Sequence, residues 1–215
     1  NQMTQGLTVN SSNNIIKGII VRGGRCNNGV YCPALYGLGL NGDNNMVSNL
    51  SIRNIQGSGI FIEGEGNIID GVGVGVPAGN LAICPPFLPG FNSGVAGDGI
   101  YFSTGAKNNT VRNSRIGCNG SAEHGDGIHI TSGNQGTVIG PNNRIGTNSS
   151  GAGAVLNNVG SGIELVGSEQ VTIISNTIAY NGQAGIALFN SSNDVIAGNT
   201  IRSNHAAGLS LTAAA

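Results

Sequence analysis

The chain has 215 residues, of which 38 are Gly; charged residues make up 9% and aromatics 4%, there is no Trp, and the net charge is −1. So little charge excludes a charge-stabilised helical bundle, and regularly recurring Ile, Val and Leu exclude a disordered polar chain. The nine cationic side chains are scattered and no apolar run approaches the length of a membrane span, so nucleic-acid binding and membrane insertion are not expected.

In chain order, a tetrapeptide of Gly, an aliphatic residue, any residue and a second apolar residue recurs eight times. The copies are Gly6-Leu-Thr-Val9, Gly37-Leu-Gly-Leu40, Gly59-Ile-Phe-Ile62, Gly99-Ile-Tyr-Phe102, Gly127-Ile-His-Ile130, Gly162-Ile-Glu-Leu165, Gly185-Ile-Ala-Leu188 and Gly208-Leu-Ser-Leu211. A polar turn and a second alternating run follow most of them, as in Asn13-Asn-Ile-Ile-Lys-Gly-Ile-Ile-Val21 and Asn108-Asn-Thr-Val-Arg-Asn-Ser-Arg-Ile116. Alternation with period two predicts strands, and the Gly and Asn clusters between runs predict turns. The spacing of 23 residues from Gly162 to Gly185, repeated from Gly185 to Gly208, fits one coil of three short strands. Asn at the turns tolerates left-handed backbone, and stacked amides can form a ladder. Longer repeats read as coils carrying loops, the most apolar being Val76 to Phe91. The predicted architecture is all-β: one parallel β-solenoid over residues 1–212, of about seven to eight rungs, with Ala213 to Ala215 expected to be a cloning remnant.

This pattern resembles the right-handed parallel β-helix repeats of the pectin-lyase-like superfamily, over nearly the whole chain. Asn143-Arg-Ile-Gly-Thr-Asn-Ser-Ser-Gly151, followed by Gly160-Ser-Gly-Ile163, is similar to repeats of large secreted bacterial proteins of that class. The resemblance implies a fold shared by lyases, hydrolases, epimerases, adhesins and structural solenoids, so function must come from the site.

Four cysteines, all in loop or turn segments, predict the disulfides Cys26–Cys32 and Cys84–Cys118 and an oxidising compartment, extracellular or at the cell surface. No metal-ligand spacing is present, so no metal is expected, with Ca²⁺ held by the carboxylates as the alternative.

If the aliphatic residues of the tetrapeptide point inward, the residue between them points outward. Phe61, Tyr101, His129 and Glu164 then form an exposed stripe, about 4.8 Å per rung. Stacking faces beside a His and a carboxylate suit a sugar groove. Asp98 and Asp126 occupy equivalent Gly-Asp-Gly-Ile positions beside it, where they also read as ordinary turn formers. The candidate catalytic residues are therefore Asp98, Asp126, His129 and Glu164. Candidate substrate-binding residues are Phe61, Tyr101, Glu123, His124, Arg112 and Arg115. Gly125-Asp-Gly-Ile-His-Ile130 is loosely similar to an acidic motif of β-helical polygalacturonases, whose paired-Asp segment and Arg-x-Lys motif are absent here.

Neither end of the sequence carries an amphipathic cap, which predicts an excised segment or end-to-end self-association. The favoured expectation is a rigid extracellular solenoid module for structure, adhesion, carbohydrate contact or assembly. The alternative is a polysaccharide lyase or glycoside hydrolase acting on a cell-wall or matrix polysaccharide.

Overall fold

The structure is a computed structural model that describes residues 6–22, 36–76, 84, 94–120, 125–147 and 156–213. Glu123, His124, Cys26, Cys32 and most of the Val76–Phe91 segment lie outside the described residues.

Strands of two to four residues build three parallel sheets of eight, seven and seven strands, and no helix occurs among the described residues. Each coil contributes one strand to each sheet, so every hydrogen-bonded neighbour is the equivalent strand of the next coil. The first sheet runs from Leu7–Val9 to Leu209–Thr212, the second from Ile15–Lys17 to Val195–Ala197, and the third from Ile20–Arg22 to Thr200–Arg202. This is the predicted parallel β-helix, with all eight tetrapeptides in the first sheet.

Register is set by burial. Ile60, Ile100, Ile128 and Ile163 are Cα partners in succession, and all four are fully buried in one core. In the second and third sheets the middle residue of each strand points inward; Val47, Ile69, Val111 and Ile139 form one such row, and Ile52, Val74, Ile116 and Ile145 another. A slip of one residue would turn these rows to solvent.

The leading glycine of the tetrapeptide has a packing role. A Cβ on Gly162 would lie 2.5 Å from Ile178 Cγ2 and 2.6 Å from the Gly185 carbonyl oxygen, so a side chain would force the first and third sheets apart.

Asparagines serve in two ways. Asn44, Asn108 and Asn193 adopt left-handed backbone at φ 54, 54 and 58°, as the turn reading expects. A second set is buried and carries the ladder: Asn67 Oδ1 accepts from the Asn45 N–H at 2.8 Å, and Asn109 Oδ1 accepts from the Asn67 N–H at 2.8 Å. At another corner Asn119 Nδ2 donates to Asn158 Oδ1 and Asn158 Nδ2 donates to Asn181 Oδ1, at 2.7 and 2.8 Å. Buried backbone groups at the corners cannot reach water, and these amides supply the missing partners. The Cys84–Cys118 disulfide is present as predicted, with Cα atoms 5.5 Å apart.

Candidate functional site

Outward residues of the first sheet stand in one register column: Thr8, Gly39, Phe61, Tyr101, His129, Glu164, Ala187 and Ser210. Phe61, Tyr101 and His129 stack ring on ring, with centroids 5.7 and 5.3 Å apart and interplanar angles of 11 and 29°. The stack extends one rung further than the sequence indicated. Tyr36 packs on Phe61 at 5.0 Å and 16°, covering Gly39, where a Cβ would lie 2.5 Å from its Cε2. The signal for Tyr36 was present: a glycine in an otherwise side-chain-bearing column, three residues after an aromatic.

Beside this column runs a second one in the turn before each strand. It carries Ser58, Asp98, Asp126, Ser161, Ala184 and Ala207, and its carboxylates fall on the middle rungs. Each aspartate uses its two oxygens differently. Asp98 Oδ1 accepts the Asp126 N–H at 2.8 Å, and Asp126 Oδ1 accepts the Ser161 N–H at 2.6 Å, so both residues do stabilise turns. The Oδ2 atoms face His129, whose Nδ1 lies 3.1 Å from Asp126 Oδ2 and 4.0 Å from Asp98 Oδ2. Glu164 Oε2, from the next rung, lies 3.2 Å from the same nitrogen. Three successive rungs thus converge three carboxylates on one imidazole, at the end of an aromatic stack.

The cluster is largely shielded, with Asp126 only 8% exposed, and this shapes its protonation. Burial works against a charged His129, yet the hydrogen bond to Asp126 and the charges of Asp98, Asp126 and Glu164 outweigh it and raise the imidazole pKa. Glu164 is pushed up to about 7, first by burial and then by the Asp126 charge, a hydrogen bond with Asp126 and the Asp98 charge, with His129 opposing. Near neutral pH the cluster holds an exchangeable proton on Glu164 beside an imidazolium, which suits proton transfer.

Asp98, Asp126 and His129 present ligand atoms within 4.8 Å of one another. This set does not fit Ca²⁺ well: that ion takes six to eight oxygens, whereas one donor here is an imidazole nitrogen and each Oδ1 already accepts a backbone N–H.

Two predicted contacts are not brought to this face. Arg112 lies on the second sheet, where its Nη2 pairs with Asp70 Oδ2 at 3.0 Å. Arg115 lies on the third sheet beside Arg144. Both share a coil with Asp98, but the coil turns two corners, so proximity in sequence placed them on other faces. Glu123 and His124 lie outside the described residues.

Comparison with curated proteins finds no match. Among solved structures, an alginate lyase from Paenibacillus sp. str. FPU-7 is similar at 14% identity and a TM-score of 0.41, covering 90% of this chain and 79% of that one. The family model described as "right handed beta helix region" matches residues 36–215. That span is most of the chain and contains every rung of the cluster, and the three parallel sheets have the strand order such a coil requires; the chain belongs to the family of right-handed β-helix regions.

Proposed function

We propose that the first-sheet face is a polysaccharide-processing site that hydrolyses a neutral glycan of a cell wall or matrix. The observation that carries the reading is the convergence of Asp98, Asp126 and Glu164 on His129 at the end of the Tyr36–Phe61–Tyr101 stack. Sugar rings offer C–H faces to aromatic rings and hydroxyls to carboxylates, so a chain laid along the stack would bring one glycosidic bond over the cluster. Glu164, protonated near neutral pH, is placed to donate to the leaving oxygen. The carboxylates of Asp98 and Asp126 favour the positive charge that develops at the anomeric carbon, and a water that gives its proton to the Asp98 carboxylate adds there as the leaving oxygen takes the proton of Glu164. His129 links them and relays the proton.

Elimination from a uronate fits this face less well. Its transition state gathers negative charge on the sugar, and here three carboxylates stand against the single imidazole of His129, with no Lys or Arg on the strands of the first sheet. The disulfide supports an extracellular or cell-surface setting, where oxidising conditions preserve it.

The test is release of reducing ends from a panel of neutral and uronate-bearing polysaccharides. Cleavage of a neutral member is expected, falling about 100-fold or more in Glu164→Gln. Tyr101→Ala should weaken substrate binding about tenfold while leaving the melting temperature nearly unchanged. Cleavage of a uronate polymer to an unsaturated product would overturn hydrolysis in favour of elimination. If no polysaccharide is bound or cleaved, the face is a structural surface and the chain a display module.

A further inference from the structure

The third sheet has a charge pattern that the carbohydrate reading leaves unused. Its outward residues include Arg22, Arg53, Arg115, Arg144 and Arg202, five of the nine cationic side chains in the chain. None of its strands carries Asp or Glu. Two pairs stand in direct register on adjacent rungs, Arg22 with Arg53 and Arg115 with Arg144. No carboxylate lies within ion-pair distance of these four among the described residues, although Arg112 on the neighbouring sheet has Asp70.

Like charges opposite one another across a strand pair destabilise the pair. The cost is evident at both places. Burial and then the charge of Arg144 lower the Arg115 pKa, and burial and then the charge of Arg22 lower that of Arg53. The Nε of Arg115 is shielded from water and has no acceptor among the described residues. Gly73 precedes Arg115 in the column and Thr177 follows Arg144, so short residues flank the pair. A guanidinium without a carboxylate partner is what an oxyanion completes.

We propose that the outer face of the third sheet binds an acidic polysaccharide, its carboxylate or sulfate groups docking on the arginine pairs along the coil axis. The pairs sit on the first two rungs and on the fourth and fifth, about 14 Å apart along the coil axis, and in columns two residues apart across the sheet, Arg22 and Arg53 after the inward residue and Arg115 and Arg144 before it. A glycan carrying spaced acidic groups and crossing the sheet obliquely matches this staggered spacing. Nucleic acid, with its dense phosphates, requires many neutralised contacts at once, and the rest of this chain is weakly acidic. The proposal is independent of catalysis on the first sheet: it assigns an anchoring face to one side of the coil and leaves the other free.

Binding is measured on the full chain by biolayer interferometry with immobilised heparin as the sulfated polymer, polygalacturonate as the carboxylated one and dextran as the neutral control. At least one acidic polymer should bind, weakening as salt rises, while dextran does not. The double variant Arg115→Gln/Arg144→Gln should lose about tenfold or more in affinity, and Arg112→Gln should behave as the parent. Relief of like-charge crowding predicts that the double variant melts no lower than the parent, so loss of binding is separable from loss of folding. Cleavage of a neutral glycan should persist in it, which keeps the two readings separately testable. The proposal is overturned if neither acidic polymer binds, if the double variant binds as the parent does, or if duplex DNA or phosphatidylserine vesicles bind more tightly than both polymers.

Discussion

Replacing Glu164 by Gln should make the protein more stable above neutral pH while removing its proton donor. In the folded chain Glu164 keeps its proton to about 7, against an ordinary value of 4.5. A group with a raised folded pKa supplies stability that is complete below its unfolded pKa and is lost as pH rises through the folded one. Between roughly 4.5 and 7 the unfolded chain releases this proton and the folded chain retains it, so folding weakens across that window. The difference corresponds to roughly 3 kcal/mol in a dry site, and the water that still reaches Glu164 screens it to on the order of 1 kcal/mol. Gln keeps the shape without the charge. For a chain of this length the variant should melt about 2–4 °C above the parent at pH 8 and match it at pH 4. His129 titrates in the same sense, its stabilisation also lost as pH rises through its raised value; the variant gives up the Glu164 part of that contribution and keeps the larger part from Asp126 and Asp98. Thermal melts followed by circular dichroism at pH 4, 6 and 8 make the comparison. Parallel melting curves for parent and variant at all three values would refute the buried-carboxyl account.

Three further outcomes follow from the fold. Ile128→Ala removes a fully buried side chain between Ile100 and Ile163 and should cost about 2–5 kcal/mol, read by urea denaturation. Asn67→Ala strips the buried Asn45 N–H of its acceptor, so about 1–3 kcal/mol should be lost in the same measurement, with little change if water can enter the corner. Reducing Cys84–Cys118, which closes a separation of 34 residues, should lower stability by up to about 4 kcal/mol; an unchanged melting temperature in reductant would show the bond contributes nothing.

Much of this architecture was legible in the sequence because period-two alternation and coil spacing report the same thing independently. The tetrapeptide located the first sheet and its inward residues, and therefore the outward column from Phe61 to Glu164. Asp98 and Asp126 were recognisable as a repeated pair, but choosing between turn residue and site residue needed coordinates, because the choice is made oxygen by oxygen. Arg112 and Arg115 were misplaced for a different reason. Their strands are two or three residues long, and runs that short do not reveal where the corners fall or which sheet a side chain crowns. Tyr36 precedes its strand, and its ring reaches the column only by lying across Gly39. The two duties of Asn were likewise indistinguishable by residue type, since exposed turn and buried ladder positions differ only in which way the side chain points.

The convergence on His129 comes from three consecutive coils, which supply their side chains from two neighbouring columns. Such a site is addressed by rung number. Loops between rungs can lengthen or shorten without disturbing it, because the strands they connect still dock in the same register. Excising one whole coil, by contrast, would heal the core and set Tyr101 directly against Glu164. The interior accepts any rung with the right aliphatic residues, and so the outward columns can be rewritten one coil at a time, each rung a separately editable line of the surface.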